Sequence, residues 1–282
     1  MVAYADDCQI IVTAKTLIQL KKKIEKVIAK AQQWYEANSM KNNTGKTEVL
    51  VLNPGRKMKT MFKVKVIDDD KPIEIETKPT IKVLGVHLDQ QLDWKKQVNG
   101  IKKKAMNSIR KLNRVNSILP LKYRIQLYKT LVEPHFSYAD VVWGGCGITN
   151  AKSLQIAQNF AARSMLGMKK TDSATAALNK LHLLNLKQRR MVHETVFVHK
   201  SLLNKHPEDI NLSYQQHLPR GNTRHAAAEK FNIPTHHTAK YEHSPIYRTI
   251  AAWNRVPSSI PTGDIKKHKI EYQKLLRNLT KT

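Results

Sequence analysis

Residues 1–12 read MVAYADDCQIIV, two apolar segments on either side of Ala5-Asp6-Asp7. The pattern predicts a short strand, a tight turn and a second strand rich in β-branched residues. Adjacent carboxylates at such a bend offer hard oxygen ligands of the kind Mg2+ takes, with positions left for phosphate oxygens. Two acids are also at home in a solvated turn, and two-metal phosphoryl transfer needs a further acid from another strand. The remainder of the chain decides between these readings.

The 282 residues carry 49 Lys and Arg against 22 Asp and Glu, a formal charge of +27. Self-repulsion of that size opposes a compact state unless a polyanion neutralises it, which points to nucleic acid ahead of an anionic membrane surface. Two cysteines, Cys8 and Cys146, exclude a disulfide framework and a Cys-rich zinc site. No window approaches the roughly 20 apolar residues of a membrane span. The N-terminus lacks a charged region followed by an apolar stretch, so no secretory signal is expected.

Beyond the opening stretch, Leu17, Leu20, Ile24, Val27, Ala31 and Trp34 recur at helical spacing, and the helix they predict ends near Asn38. A strand is expected over Glu48 to Asn53, then a hairpin from MFKVKVI and KPIEIET across Asp68-Asp69-Asp70. TIKVLGVHLD reads as a further strand, with Gly85 marking a close backbone approach. After Trp94 the strands stop. Val98, Ile101, Ala105, Ile109, Leu112 and Val115 predict a long amphipathic helix, and YRIQLYKTLV resumes helical spacing between Pro120 and Pro134. Helices are expected across KSLQIAQNFAARSML and LNLKQRRMVHETVFVHKSLL, and loops with short helices from about Leu212 onward. The fold class is α+β, with a junction near Asp93.

The segment from Lys95 through Val132 contains no acid, yet holds Lys95, Lys96, Lys102, Lys103, Lys104, Arg110, Lys111, Arg114, Lys122, Arg124 and Lys129. A charge run is ordinarily a solvated face. This one cannot neutralise itself along its own helix, which favours phosphate contacts.

Several motifs occur in a telling order. Tyr4-Ala5-Asp6-Asp7 precedes an amphipathic helix; Gly45-Lys46-Thr47-Glu48, LGVHLDQQLDW at 84–94, LYKTLVEPHFSYADVVWG and SPIYRTIAAWNRVPSSIP follow. This order resembles the reverse transcriptases of LINE-type non-LTR retrotransposons, jockey-like elements included, from residue 4 to about 276. The resemblance implies a partial polymerase palm over 1–92, a basic helical thumb over 93–170 and a C-terminal helical extension over 171–282. It implies Mg2+ held by Asp6 and Asp7, Lys46 near the incoming triphosphate, and Leu84-Gly85-Val86 as a primer-grip-like hairpin. The thumb residues named above would meet an RNA template and an RNA–DNA or DNA duplex. The location expected is intracellular, in a nuclear or cytoplasmic ribonucleoprotein, neither secreted nor in a membrane.

The departures are equally specific. The family places fingers and the first half of the palm ahead of YADD, including a strand with the first metal-binding aspartate. Within this chain three residues precede Tyr4. The expectation is therefore a polymerase fragment that is inactive alone and binds deoxynucleoside triphosphates only if the upstream half is supplied. The alternative is a non-catalytic nucleic-acid-binding module derived from the thumb. Other features read as structural. GKT at 45–47 lacks the upstream glycine and the strand-then-helix order of a phosphate loop. His217, His225, His236, His237 and His243 lack ligand spacing, Trp34, Trp94, Trp143 and Trp253 are expected in the core, and Cys8 is expected as a small core residue.

Overall fold

The computed structural model describes residues 2–5, 7–40, 43–52, 62–68, 71–219, 230–236 and 238–279. It divides into two units, Met1–Leu92 and Asp93–Thr282. The first unit contains the antiparallel pairs β1 (Val2–Tyr4) with β2 (Asp7–Gln9), β3 (Lys63–Asp68) with β4 (Lys71–Glu76), and β5 (Thr80–Val83) with β6 (Val86–Asp89), together with helix α1 (Leu17–Ala37).

Helix α1 starts where Thr16 accepts a hydrogen bond from the Gln19 N–H at 3.3 Å and stops where Asn38 Nδ2 donates to the Trp34 carbonyl at 2.7 Å. Both caps satisfy backbone groups that a helix end leaves orphaned. Ile24 and Ile28 pack on the cluster of Val49, Val64, Val66 and Ile75, the core of this unit. Glu25 accepts from the Lys65 N–H at 3.0 Å, and Gln32, two turns further on, donates to the Ile67 carbonyl. The expected strand over 48–53 is a single parallel bridge, Val49 to Thr77, its last residue lying outside the described ones.

One core assignment is corrected here. Trp34 is 50% exposed, because the helical face that reaches Ala31 continues four residues on, to half-buried Tyr35. Trp94, Trp143 and Trp253 are buried as expected, and Cys8 is half-buried.

The second unit is helical. Its elements are α2 (Lys95–Val115), α3 (Leu121–Leu127), α4 (Glu133–Ser137), α5 (Asp140–Trp143), α6 (Ile148–Met165), α7 (Ala174–Lys180), α8 (Leu186–Leu202), α9 (Glu208–Gln215), α10 (Ala239–Glu242), α11 (Pro245–Asn254) and α12 (Ile265–Asn278). The expected boundary at 170/171 falls inside this unit. Helix α2 packs on α6 and α4, and α8 packs on both α11 and α12. Pro134 does not end the helical path. It sits in the first turn of α4, where its missing N–H costs least. Ahead of it, Tyr128–Val132 forms one wide π turn, in which the Glu133 N–H reaches back to the Tyr128 carbonyl.

The core of this unit contains a charged network that ties α4, α5, α8 and α11 together. Arg248 donates to Glu194 Oε1 from Nε at 3.0 Å and from Nη2 at 2.8 Å, and also to the carbonyls of Val141 at 2.8 Å and His243 at 3.1 Å. Asp140 pairs with His193 Nδ1 at 2.7 Å, and Arg189 pairs with Glu133. Glycine is required beside this network. A Cβ on Gly144 would lie 2.4 Å from the Asp140 carbonyl oxygen, and one on Gly145 would lie 2.1 Å from that of His243.

Candidate nucleic-acid interface

Helix α2 turns Gln97, Val98, Ile101, Ala105, Ile109 and Leu112 inward. At 100° per residue these fill one side, and Lys96, Lys103, Arg110 and Arg114 fall on the side opposite. All four are exposed. From Lys96 to Arg114 the helix advances 18 steps, about 27 Å at about 1.5 Å per residue. Exposed Lys95, Lys104 and Lys111 and half-buried Lys102 flank the stripe. Lys122 is exposed in the first turn of α3. The same segment can therefore form a core on one face and present only cations and neutral polar groups on the other.

Arg124 stands apart from the set. It is half-buried, with Nε donating to the Leu119 carbonyl at 2.6 Å and Nη1 to the Met165 carbonyl at 2.8 Å. Those donors fasten α3 to the end of α6, so its main task is structural. Its charge resembled the others in the sequence, and only the fold reveals the carbonyls it serves.

In the first unit, β1 and β2 pair in the register Val2–Gln9, Ala3–Cys8 and Tyr4–Asp7. Ala5, next after β1, has a φ of 51°, a left-handed conformation uncommon for a residue with a Cβ. Asp7 is therefore the first residue of β2 rather than part of the loop, and its side chain is exposed. Asp6 lies outside the described residues. Lys46 is exposed at the end of a 3-10 turn, Thr44–Lys46, capped by Asn43. The single strand expected over TIKVLGVHLD is instead the β5–β6 hairpin. Leu84 and Gly85 form its loop with φ of 44° and 85°, the two positive values of a type I′ turn. Val86 is buried, while Leu84 and Gly85 are exposed.

Among the described residues no group of three or more His, Cys, Asp or Glu side chains is gathered where a metal ion could be held. The described part of the hairpin supplies one exposed carboxylate, which does not by itself compose a Mg2+ site. The five histidines weighed in the sequence also form no such group among the described residues, His225 and His237 lying outside them. No described helix is long and apolar enough to cross a membrane.

No family model matches the chain, and no solved structure matches it. Two curated proteins of Drosophila melanogaster do. The first, "Probable RNA-directed DNA polymerase from transposon X-element", is 31% identical over 104 residues, 34% of this chain and 12% of the relative. The second, "Probable RNA-directed DNA polymerase from transposon BS", is 22% identical over 168 residues, 58% of this chain and 18% of the relative. The matched portions are thus less than a fifth of either relative's length. Over those portions the chain is related to transposon reverse transcriptases.

Proposed function

We propose that this chain is the distal palm and thumb portion of a non-LTR, jockey-like RNA-directed DNA polymerase, and that its own task is to hold template–primer duplex. The observation that carries the reading is the α2 stripe. Lys96, Lys103, Arg110 and Arg114 lie opposite the buried face of an acid-free helix, where their charges have no acidic partner along the helix itself. Such a surface matches a line of phosphates and binds without regard to sequence. The partial relation to transposon polymerases supports the same reading.

In this account YADD is the catalytic hairpin, Lys46 lies near an incoming triphosphate, and the Leu84-Gly85-Val86 turn steadies the primer. Mg2+ bound with Asp6 and Asp7 would neutralise phosphate charge once a further carboxylate is supplied. Because a pair of acids is insufficient, the chain alone binds duplex and does not extend a primer.

The test is duplex binding and primer extension by the purified chain. Binding on the order of micromolar is expected. Lys96→Glu with Lys103→Glu should weaken it for all sequences alike, whereas Asp6→Ala and Asp7→Ala should leave it unchanged. If the aspartate variants changed binding more than the lysine variants did, the stripe would not be the interface. Mg2+-dependent extension abolished by Asp6→Ala would show the fragment to be a polymerase in its own right.

A further inference from the structure

Three aromatic rings meet at the surface where α10 runs into α11. His236 precedes α10, Tyr241 lies within it, and Tyr247 lies in the first turn of α11. The His236 and Tyr241 rings are nearly parallel, with 15° between their planes and centroids 6.1 Å apart. Tyr247 stands across both at 76°, its centroid 5.0 Å from that of His236 and 6.3 Å from that of Tyr241. The rings of His199, Trp253 and His268 also gather, but all three residues are buried and serve the core. The His236 group differs because each of its residues is only half-buried.

The group is held in place locally. His236 Nε2 donates to Glu242 Oε1 at 2.9 Å, which orients the imidazole, and the Glu242 side chain is 51% exposed beside it. The Tyr241 N–H donates to the Thr238 carbonyl at 3.0 Å, and the Ser244 N–H donates to the Tyr241 carbonyl at 2.9 Å. Ser244 Oγ in turn accepts from the Tyr247 N–H at 3.4 Å. Rings fixed in this way lose little further freedom on binding, which favours affinity.

The chemistry of the group selects a cation. The face of an aromatic ring is its negative side, and a cation within about 6 Å of the centroid is attracted to it. With centroids 5.0 to 6.3 Å apart, one cation can satisfy that distance for all three rings. An ionised Glu242 has acceptor capacity beyond its bond to His236 and adds Coulomb attraction. An unmodified ammonium is compact and strongly hydrated, so entering such a site strips it of water. A methylated ammonium holds its water less tightly and brings methyl groups for the ring faces. Two sources carry one, a methylated lysine and a choline headgroup. Choline has a phosphate across a short ethylene link from its nitrogen, which would fall near the Glu242 carboxylate. Lysine has a longer, uncharged stem and avoids that repulsion.

We propose that His236, Tyr241 and Tyr247, with Glu242 at the rim, form an aromatic cage for a trimethylated lysine side chain of a partner protein. The cage lies on elements other than α2 and does not depend on the duplex-holding role proposed for that helix.

Calorimetric titration of the full chain with N-acetyl-trimethyllysine amide tests it. The comparison compounds are the unmethylated lysine amide, a neutral tert-butyl analogue of the same shape, and phosphocholine. The trimethyllysine compound should bind at least about fivefold more tightly than each of the others. Tyr241→Leu and Tyr247→Leu, which keep apolar bulk and remove a ring, should each weaken it about fivefold. Glu242→Gln should weaken it at least about twofold. Melting curves would confirm that the variants fold, and their salt-dependent duplex binding should match the wild type. Equal binding of the neutral analogue would overturn the cage, since shape without charge would then suffice. So would the absence of trimethyllysine binding, or phosphocholine binding as tight as that of trimethyllysine. Folded leucine variants that bind like the wild type would also overturn it. Should those variants fail to fold, the neutral analogue and Glu242→Gln still decide the matter.

Discussion

Replacing Arg248 with Ala removes the centre of the buried network. Four hydrogen bonds are lost, two to Glu194 and one each to the Val141 and His243 carbonyls. Glu194 is 7% exposed and would be left without its main counter-charge. Breaking a buried ion pair from one side costs about 3–5 kcal/mol, because the remaining charge stays desolvated. For a unit of this size each kcal/mol shifts the melting temperature by roughly 2–4 °C, so a drop of about 6–20 °C is expected. Arg248→Lys should fall in between, since an ammonium keeps the charge but not the fork.

The loss should also depend on pH, with a sign the structure fixes. Burial pushes the Glu194 carboxyl upward, and nearby Asp140 adds to this, while Arg248 and Arg190 oppose it. Without Arg248 the upward push is less opposed, so folded Glu194 takes a proton at a pH where the unfolded chain does not. Stability from a raised carboxyl is present below its unfolded pKa and is lost as pH rises through the folded value. The gap between wild type and Arg248→Ala should therefore be wider at about pH 8 than at about pH 5. Thermal denaturation followed by circular dichroism at both values measures it. A shift under about 3 °C, or a gap that narrows as pH rises, would refute this account of the network.

Other outcomes follow from single positions. Gly145→Ala should cost about 1–3 kcal/mol through overpacking against the His243 carbonyl, whereas Gly263→Ala, with nothing within 4 Å of a new Cβ, should stay within about 0.5 kcal/mol by denaturant titration. Gly100→Ala should stabilise α2 by about 1 kcal/mol, since its Cβ meets nothing and the helix interior disfavours glycine. Burial first, and neighbouring His199 second, hold His268 below the ordinary histidine range, against the opposing Pro261 carbonyl. A depressed histidine favours the unfolded chain as pH falls below about 6.5, so melting temperature should drop on acidification and drop less in His268→Gln.

Much of the local structure was legible in the sequence because it depends on neighbours along the chain. The α1 repeat, its end near Asn38 and the inward α2 positions from Val98 to Leu112 are all set within one or two helical turns. The β3–β4 hairpin followed from alternation around an acidic turn. Trp34 was misplaced because one residue of helical phase separates it from the packed face that Tyr35 joins. Pro134 looked like a stop because the wide turn that accommodates it leaves no local signal. Arg248, Glu194 and Asp140 escaped notice because their partners lie 54 and 53 residues away, beyond any spacing rule. The same holds in reverse for the candidate interface. Its cations were visible in composition, but the sequence could not show that Arg124 serves carbonyls.

The central claim is that the α2 stripe meets phosphates, and the salt dependence of duplex binding tests it most directly. Each neutralised phosphate contributes about 0.9 to the slope of log affinity against log salt for B-form DNA. Four stripe residues therefore predict that Lys96→Gln, Lys103→Gln, Arg110→Gln and Arg114→Gln together flatten the wild-type slope by about 3.6, with folding intact. An unchanged slope in that variant would contradict the account.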